Sequence, residues 1–286
     1  MKGVIIGGGT FLGYWLKRKI IVNGNERPII IDLPRNSINV YVSTKDVFYP
    51  LQEINYEEIR DYRPKYVLFN YYDLFDVGSL TLNNTGNNFI MAATNKLLDM
   101  AEELSCFIFV LTHINRYPEI ENSYQSAFNS LNDLYLQYIE LIAKAKRLKT
   151  RIFLLPNLFG PREPSLGVIP TILRKVKAGD RLELARTERD FMCVHSVVEY
   201  ANKLMFNYEE DSTNEIVYYY LSSGNETSLL EMYNIICSVI DKKTEIYLVN
   251  DTYKLTKTQV DGSKIEKLII PQDYFMSITH YNRQRI

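Results

Sequence analysis

At 286 residues, with 46% hydrophobic and 23% charged side chains, the chain has the composition of an ordinary soluble protein able to bury a large core. Its formal net charge of −1 gives no electrostatic footprint for nucleic acid. No apolar run is long enough to span a bilayer, and Met1-Lys2-Gly3 leads straight into an apolar strand with no room for a signal peptide, so the expectation is a cytoplasmic protein.

The first element predicted is a buried parallel strand, Val4-Ile5-Ile6, followed by Gly7-Gly8-Gly9-Thr10-Phe11-Leu12-Gly13 and a helical stretch from Tyr14. Strand, glycine turn and helix is the context in which such a loop holds a phosphate. The turn visits positive φ, the backbone comes close to a pyrophosphate, and the free N–H groups of the helix N-terminus face the charge. A second run, Pro28-Ile29-Ile30-Ile31, ends at Asp32, the distance at which a carboxylate can accept bonds from a ribose diol. Gly7, Gly9, Thr10, Phe11, Leu12, Gly13 and Asp32 are therefore candidate dinucleotide-binding residues. Asp32 favours NAD, because a carboxylate repels a ribose 2′-phosphate, while nearby Arg35 leaves NADP open.

Further strands are predicted at Ile38–Val42, Tyr66–Phe69, Phe107–Leu111 and Arg151–Leu155, alternating with helices at Met91–Leu104 and Leu131–Leu148. The alternation predicts an α/β fold, a doubly wound parallel sheet of Rossmann type. Lys144, Lys146, Arg147 and Lys149 read as a solvated helix end that suits the helix dipole. After Pro156-Asn157-Leu158-Phe159-Gly160-Pro161 the alternation stops. The predicted organisation is a dinucleotide-binding domain over 1–160 and a smaller C-terminal α/β substrate lobe over 161–286. That lobe holds helices at Ile169–Val176 and Leu229–Ile240, the latter opened by a capping Thr227-Ser228, and a strand at Val217–Leu221. Cys106, Cys193 and Cys237 are scattered, with no Cys-x-x-Cys spacing, so reduced thiols are expected, with neither a disulfide framework nor a metal site.

These landmarks resemble, in order, those of the extended short-chain dehydrogenase/reductase family, the nucleotide-sugar epimerases and dehydratases. The loop resembles Gly-Gly-x-Gly-Phe-Ile-Gly with Thr10 at the middle glycine. Pro156–Pro161 is similar to Pro-Asn-Val-Tyr-Gly-Pro, and Gly167–Pro170, Arg189–Val194 and Asp261–Leu268 resemble the later landmarks. The resemblance implies NAD-dependent hydride transfer on a nucleotide-linked sugar. A Tyr would move the proton, a Lys four residues on would lower its pKa, and a Ser or Thr would orient the sugar.

In this chain Ser126–Asn132 stands where the family has Ser-Pro-Tyr-x-x-Ser-Lys, so Phe128 replaces the Tyr and Asn132 the Lys, a position that also lines the cofactor. Thr112 keeps the hydroxyl position. Tyr124, one turn before Phe128, and His113, beside Thr112, are the remaining candidate proton carriers. Tyr41-x-x-x-Lys45 has the right spelling but is expected on the third strand, far from the catalytic helix, and 22 tyrosines make chance pairs ordinary. Asn157 and Arg189 are candidate substrate contacts, Arg189 through its guanidinium fork to a diphosphate. His195-Ser196 replaces the family's acidic pair, and Leu154 stands where an Arg is usual. Whether the chain turns over a sugar or serves as an inert regulatory or scaffolding subunit is left open by Phe128 and Asn132. An RNA-binding relative is a third reading that net charge does not support. The resemblance also implies a homodimer through Met91–Leu104 and Leu131–Leu148.

Overall fold

The computed structural model describes residues 1–34, 41–74, 84–113, 115–116, 124–164, 167–206, 216–250, 256–257 and 265–284. The first part runs β1 (Gly3–Ile6), α1 (Phe11–Val22), β2 (Ile29–Asp32), β3 (Phe48–Pro50), α2 (Tyr56–Tyr62), β4 (Tyr66–Asn70), α3 (Tyr71–Leu74), α4 (Asn84–Leu104), β5 (Phe107–His113), β6 (Asn115–Arg116), α5 (Tyr124–Lys146), β7 (Thr150–Leu155) and β8 (Asn157–Phe159). The rest adds α6 (Val168–Ala178), β9 (Leu182–Ala185), β10 (Glu188–Cys193), α7 (Val194–Phe206), β11 (Ile216–Ser222), β12 (Glu226–Ser228), α8 (Leu229–Ile240), β13 (Ile246–Val249), β14 (Thr256–Lys257), β15 (Ile265–Ile269) and α9 (Tyr274–Gln284).

Eight strands form one sheet in the order β15-β11-β7-β5-β4-β1-β2-β3, and every pairing in it is parallel. Parallel strands need both faces covered, which is why these strands read as unbroken apolar runs. Alternate residues divide between two cores. Val4, Ile6, Val67, Phe69, Ile108, Val110, Ile152 and Leu154 enter the layer beneath α4 and α5. Ile5, Leu68, Phe109, Leu111, Phe153 and Leu155 enter the layer beneath α1 and α7. A third core packs α6, α8 and α9 around β9, with Ile172, Leu184, Met232 and Ile278 buried in it. Among the described residues no helix is long and apolar enough to cross a membrane.

Three expectations change. The third strand of the sheet is Phe48–Pro50, in register with Ile30–Asp32. Of the expected Ile38–Val42 strand, residues 38–40 lie outside the described residues and Tyr41 and Val42 are irregular. Tyr41 and Lys45 therefore precede the edge strand. Asp46 holds their segment, its carboxylate accepting from Ser43 N–H at 2.8 Å, while Tyr41 N–H reaches the carbonyl of Gly9. The strand expected at Val217–Leu221 belongs to the main sheet, pairing with β7. Its Tyr218, Tyr219 and Leu221 bury against the same two cores. Finally, Lys146 is tied to α4 as well as solvated, donating to Asp99 at 3.0 Å and to Glu102.

The capped start of α8 is present, with Ser228 as the cap: its Oγ accepts from Glu231 N–H at 3.1 Å. Cys106, Cys193 and Cys237 are buried and free.

Candidate functional site

The chain steps from β1 outward to β2 and β3, then returns to the other side of β1 as β4. The crevice beyond the C-terminal ends of β1 and β4 is the switch point at which open α/β sheets bind ligands. The glycine loop fills one side of it. Gly7 turns the chain at φ 74°, a conformation that favours glycine. A Cβ on Gly13 would stand 1.9 Å from the Gly7 carbonyl oxygen, so the start of α1 packs on the loop only without a side chain there.

Thr10 is the N-cap of α1 but makes no side-chain cap of its own. The cap comes from the facing strand. Asp73, on α3 directly after β4, turns one carboxylate oxygen onto the helix start. That oxygen accepts from Leu12 N–H at 2.6 Å, Gly13 N–H at 3.3 Å and lies 2.8 Å from Thr10 Oγ1. Asn70, the last residue of β4, completes the cluster. Its Nδ2 lies 2.9 Å from the same Asp73 oxygen, 3.0 Å from Gly7 O and 3.2 Å from Thr10 Oγ1, while its own Oδ1 is buried without a partner among the described residues. Asn70 and Asp73 were missed in the sequence reading. The signal was available: Asn70 ends an apolar run on the strand adjacent to the glycine-loop strand, and Asp73 follows it by three residues.

Asp32 ends β2 on the far side of the loop, fully buried. One oxygen accepts from Gly9 N–H at 2.8 Å and the other from Leu33 N–H at 2.7 Å. Burial pushes its pKa up to about 7 against the pull of those two N–H groups, and the nearby charge of Asp73 adds to the rise. Asp32 thus braces the loop through Gly9 in addition to standing at the expected ribose position.

Thr112 is buried at the C-terminal end of β5, and half-buried His113 follows it. The imidazole of His113 stacks on Tyr72, with ring centroids 5.1 Å apart and planes 12° from parallel. Tyr72 in turn bridges β4 to the β7–β8 junction, accepting from Leu158 N–H at 2.8 Å and donating to Pro156 O at 3.0 Å. His113 therefore has an oriented ring beside the crevice. Tyr124 opens α5, so the helix does run through Tyr124 and Phe128. The side chains of Tyr124, Phe128 and Asn132 lie outside the described residues.

The two candidate substrate residues sit on adjoining strands of a small sheet, β12-β10-β8. Asn157 Nδ2 donates to the Asp190 carbonyl at 3.3 Å. Arg189 is half-buried and its Nε is buried without a hydrogen-bond partner among the described residues. Asp190 is the anchor between them, accepting from Ser222 Oγ at 2.7 Å and from Ser223 N–H and Oγ at 3.0 and 2.5 Å. His195 packs edge-on to Trp15 at 4.4 Å, and Trp15 Nε1 donates to Pro161 O at 2.7 Å. Burial lowers the His195 pKa, as do the charges of His280 and Arg18.

Beside the loop, a cleft of about 560 Å³ runs along α1, lined by Tyr14, Lys17, Arg18, Arg27, Tyr41 and Arg162 among others. The Arg162 guanidinium lies 4.3 Å from the Tyr14 ring centre and 4.6 Å from that of Tyr41.

The UDP-glucuronic acid 4-epimerase of Bacillus cereus, solved with UDP-glucuronic acid and NAD, superposes with a TM-score of 0.73 at 10% identity, over 99% of this chain and 98% of that one. This chain has the epimerase fold. The UDP-N-acetylglucosamine 4-epimerase of Methanobrevibacter ruminantium, in complex with UDP-N-acetylmuramic acid, gives 0.72 at 16% identity over 99% and 97% of the two chains. The UDP-glucose 4-epimerase of Thermus thermophilus, in complex with NAD, gives 0.70 at 16% identity over 99% of both. No protein-family model matches the sequence, and no curated protein matches it. The epimerase fold is thus kept end to end at an identity where the fold alone is shared.

Proposed function

We propose that this protein binds a nicotinamide dinucleotide, NAD in preference to NADP, across the β1–β4 crevice. It acts on a nucleotide-linked sugar as an epimerase, dehydratase or reductase. The carrying observation is that Leu12 N–H, Gly13 N–H and the Thr10 hydroxyl converge at the switch point on a single anionic oxygen, now that of Asp73. A carboxylate oxygen held by these donors supports the reading that they suit a phosphate oxygen of a dinucleotide. The solved epimerases of the same fold, two of them with NAD and two with a uridine-diphosphate sugar, supply the ligand class.

In this reading Leu12 and Gly13 hold the pyrophosphate and Asp32 marks the ribose. When bound, the dinucleotide supplies a hydride acceptor and donor. Thr112 orients a sugar hydroxyl from the end of β5. The proton belongs to Tyr124 or His113, because Phe128 and Asn132 leave no phenol beside an ammonium. Residues 1–160 carry the dinucleotide, and the part of 161–286 outside the main sheet faces the sugar, with Asn157 and Arg189 at the join. A cytoplasmic location is part of the same proposal and rests on three buried, unpaired cysteines.

The test is incubation of the full chain with NAD and a panel of UDP- and dTDP-hexoses, followed by chromatography of the nucleotide sugars. Conversion is expected, and Thr112→Val should reduce kcat on the order of tenfold to a hundredfold by loosening the sugar. A second reading, a dinucleotide-binding regulatory or scaffolding subunit, is favoured by Phe128 and Asn132. Bound dinucleotide in native mass spectrometry together with no conversion of any sugar selects it.

The proposal includes a homodimer through α4 and α5. On α5 Leu134 and Leu141, seven residues apart and so on one face, are 52% and 65% exposed. Light scattering should return twice the 33.4 kDa chain mass and revert to one chain in the double variant Leu134→Glu, Leu141→Glu. A monomeric parent chain removes the dimer.

A further inference from the structure

Asp73 is in the wrong place for an open dinucleotide site. We propose that it is a resident anion of the glycine loop, and that a dinucleotide seats its pyrophosphate only as this carboxylate leaves. The inference rests on the dinucleotide reading above and concerns how that site is controlled.

Three observations carry it. The first is occupancy: Asp73 is buried, 8% exposed, with one oxygen on Leu12 N–H at 2.6 Å. The N–H groups at the start of α1 are the ones that face a pyrophosphate in this fold. Each has one hydrogen, so a phosphate oxygen and the carboxylate cannot both take it. Two anions within hydrogen-bond reach of the same donors also repel each other.

The second is Thr10. The middle glycine of such a loop lets a pyrophosphate approach the backbone. Here that position carries a side chain whose hydroxyl lies 2.7 Å from Gly7 O and 2.8 Å from Asp73. The residue that narrows the approach also helps to hold the carboxylate.

The third is Asn70. Its amide nitrogen has three acceptors within reach for two hydrogens, one of them Asp73, and its own buried oxygen has no partner among the described residues. An uncompensated buried carbonyl is unfavourable, and it is kept in an arrangement that positions the carboxylate. Thr10, Asn70 and Asp73 thus form one cluster whose product is a filled anion cradle.

When the binding-competent state is a fraction of the population, apparent affinity falls by that fraction. Removing the carboxylate therefore strengthens dinucleotide binding while weakening the unliganded protein, since α1 loses its cap. A cap with no other role changes stability and leaves affinity where it was.

The experiment is titration calorimetry of NAD⁺, ADP and adenosine into the full chain, Asp73→Asn and Asp73→Ala, with thermal melts of each protein with and without NAD⁺. Asp73→Asn keeps the size and one acceptor, so it decides the matter if Asp73→Ala does not fold. The expected result is at least a tenfold gain in affinity for NAD⁺ and ADP in the variants and none for adenosine, which has no phosphate. The melting temperature without ligand should fall, and the rise on adding NAD⁺ should grow. Equal affinities within twofold in parent and variants, with NAD⁺ still saturating, overturn the role of Asp73 and leave the dinucleotide reading standing. A gain shared by adenosine also overturns it. If no dinucleotide binds the folded variants at millimolar concentration, both readings fall.

Discussion

Replacing Asp46 with Ala is expected to destabilise the protein by about 3–5 kcal/mol, the effect of leaving a buried cation without its partner. Lys17 lies on α1 with its side chain 4% exposed, and its ammonium is 2.6 Å from Asp46 Oδ2. Arg27 approaches the other oxygen at 2.7 Å, and the Asp46 side chain is fully buried. Arg27 is more open, 36% exposed, and can turn to water. Lys17 cannot, so the loss falls on its desolvated charge. In a melt near pH 7 the decrease should be on the order of 10 °C for a chain of this size.

The pH dependence has a definite sign. Burial raises the Asp46 pKa, but the bonds from Lys17, Ser43 N–H and Arg27 outweigh it, so the net shift is downward. A depressed carboxylate contributes stability that is present above its ordinary pKa of 3.8 and lost as pH falls through the folded value. Parent and Asp46→Ala should therefore differ most at neutral pH and converge in acid. The double variant Lys17→Met, Asp46→Ala should recover part of the loss, because no charge is left buried. An Asp46→Ala melt within 2 °C of the parent at pH 7 would show that Lys17 finds another partner. Asp46 also fixes the segment that carries Tyr41 against Gly9, so the same variant loosens one wall of the glycine loop.

Most of the frame was legible because it depends on local pattern. Val4–Ile6, Ile29–Ile31, Tyr66–Phe69, Phe107–Leu111 and, after Arg151, Ile152–Leu155 are continuous apolar runs, and each lies in a strand of the parallel sheet. Only strands covered on both faces read that way. The start of α8 was legible for a similar reason, since the capping Ser228 and the Glu231 N–H it accepts from lie three residues apart. The edge strand Phe48–Pro50 was not. It has three residues, ends in Pro and is only half-buried, so hydrophobic period gives no signal. The Val217–Leu221 strand is legible as a strand, but the sequence places it in the C-terminal lobe and the fold places it in the main sheet. Parallel pairing with Thr150–Leu154 across more than sixty residues is a long-range fact that no local window contains.

The site divides in the same way. Gly7, Gly13 and Asp32 announce themselves by spacing, and the structure puts them around one turn. Asp73 does not, because its partners Leu12 and Gly13 precede it by 61 and 60 residues and meet it only through the β1–β4 pairing. The reading of Thr10 depended on that contact as well. As a sequence feature it is a variant glycine position, and in the fold it is part of the grip on Asp73.

Asp32 carries the second large effect, with the opposite sign to Asp46. Its folded pKa near 7 lies well above the ordinary 3.8, and burial is the main cause. An acid whose folded pKa is raised holds its proton more tightly in the native state than in the unfolded chain. The contribution of Asp32 to stability should therefore be highest below about pH 4, decline as pH rises toward 7, and level off beyond. The total decline due to this one group is on the order of 4 kcal/mol. Asp32→Asn removes the titration but keeps one acceptor for Gly9 or Leu33, so the readout is the slope of stability against pH, not its absolute value. Chemical denaturation of parent and variant from pH 4 to 8 isolates it, because every other titrating group is common to both. The difference should grow in favour of the variant up to about pH 7 and then stay constant. Parallel curves would mean that Asp32 is ionised throughout. The charge of Asp73 is one of the causes of the raised pKa. Asp73→Asn should therefore move the end of the decline to lower pH.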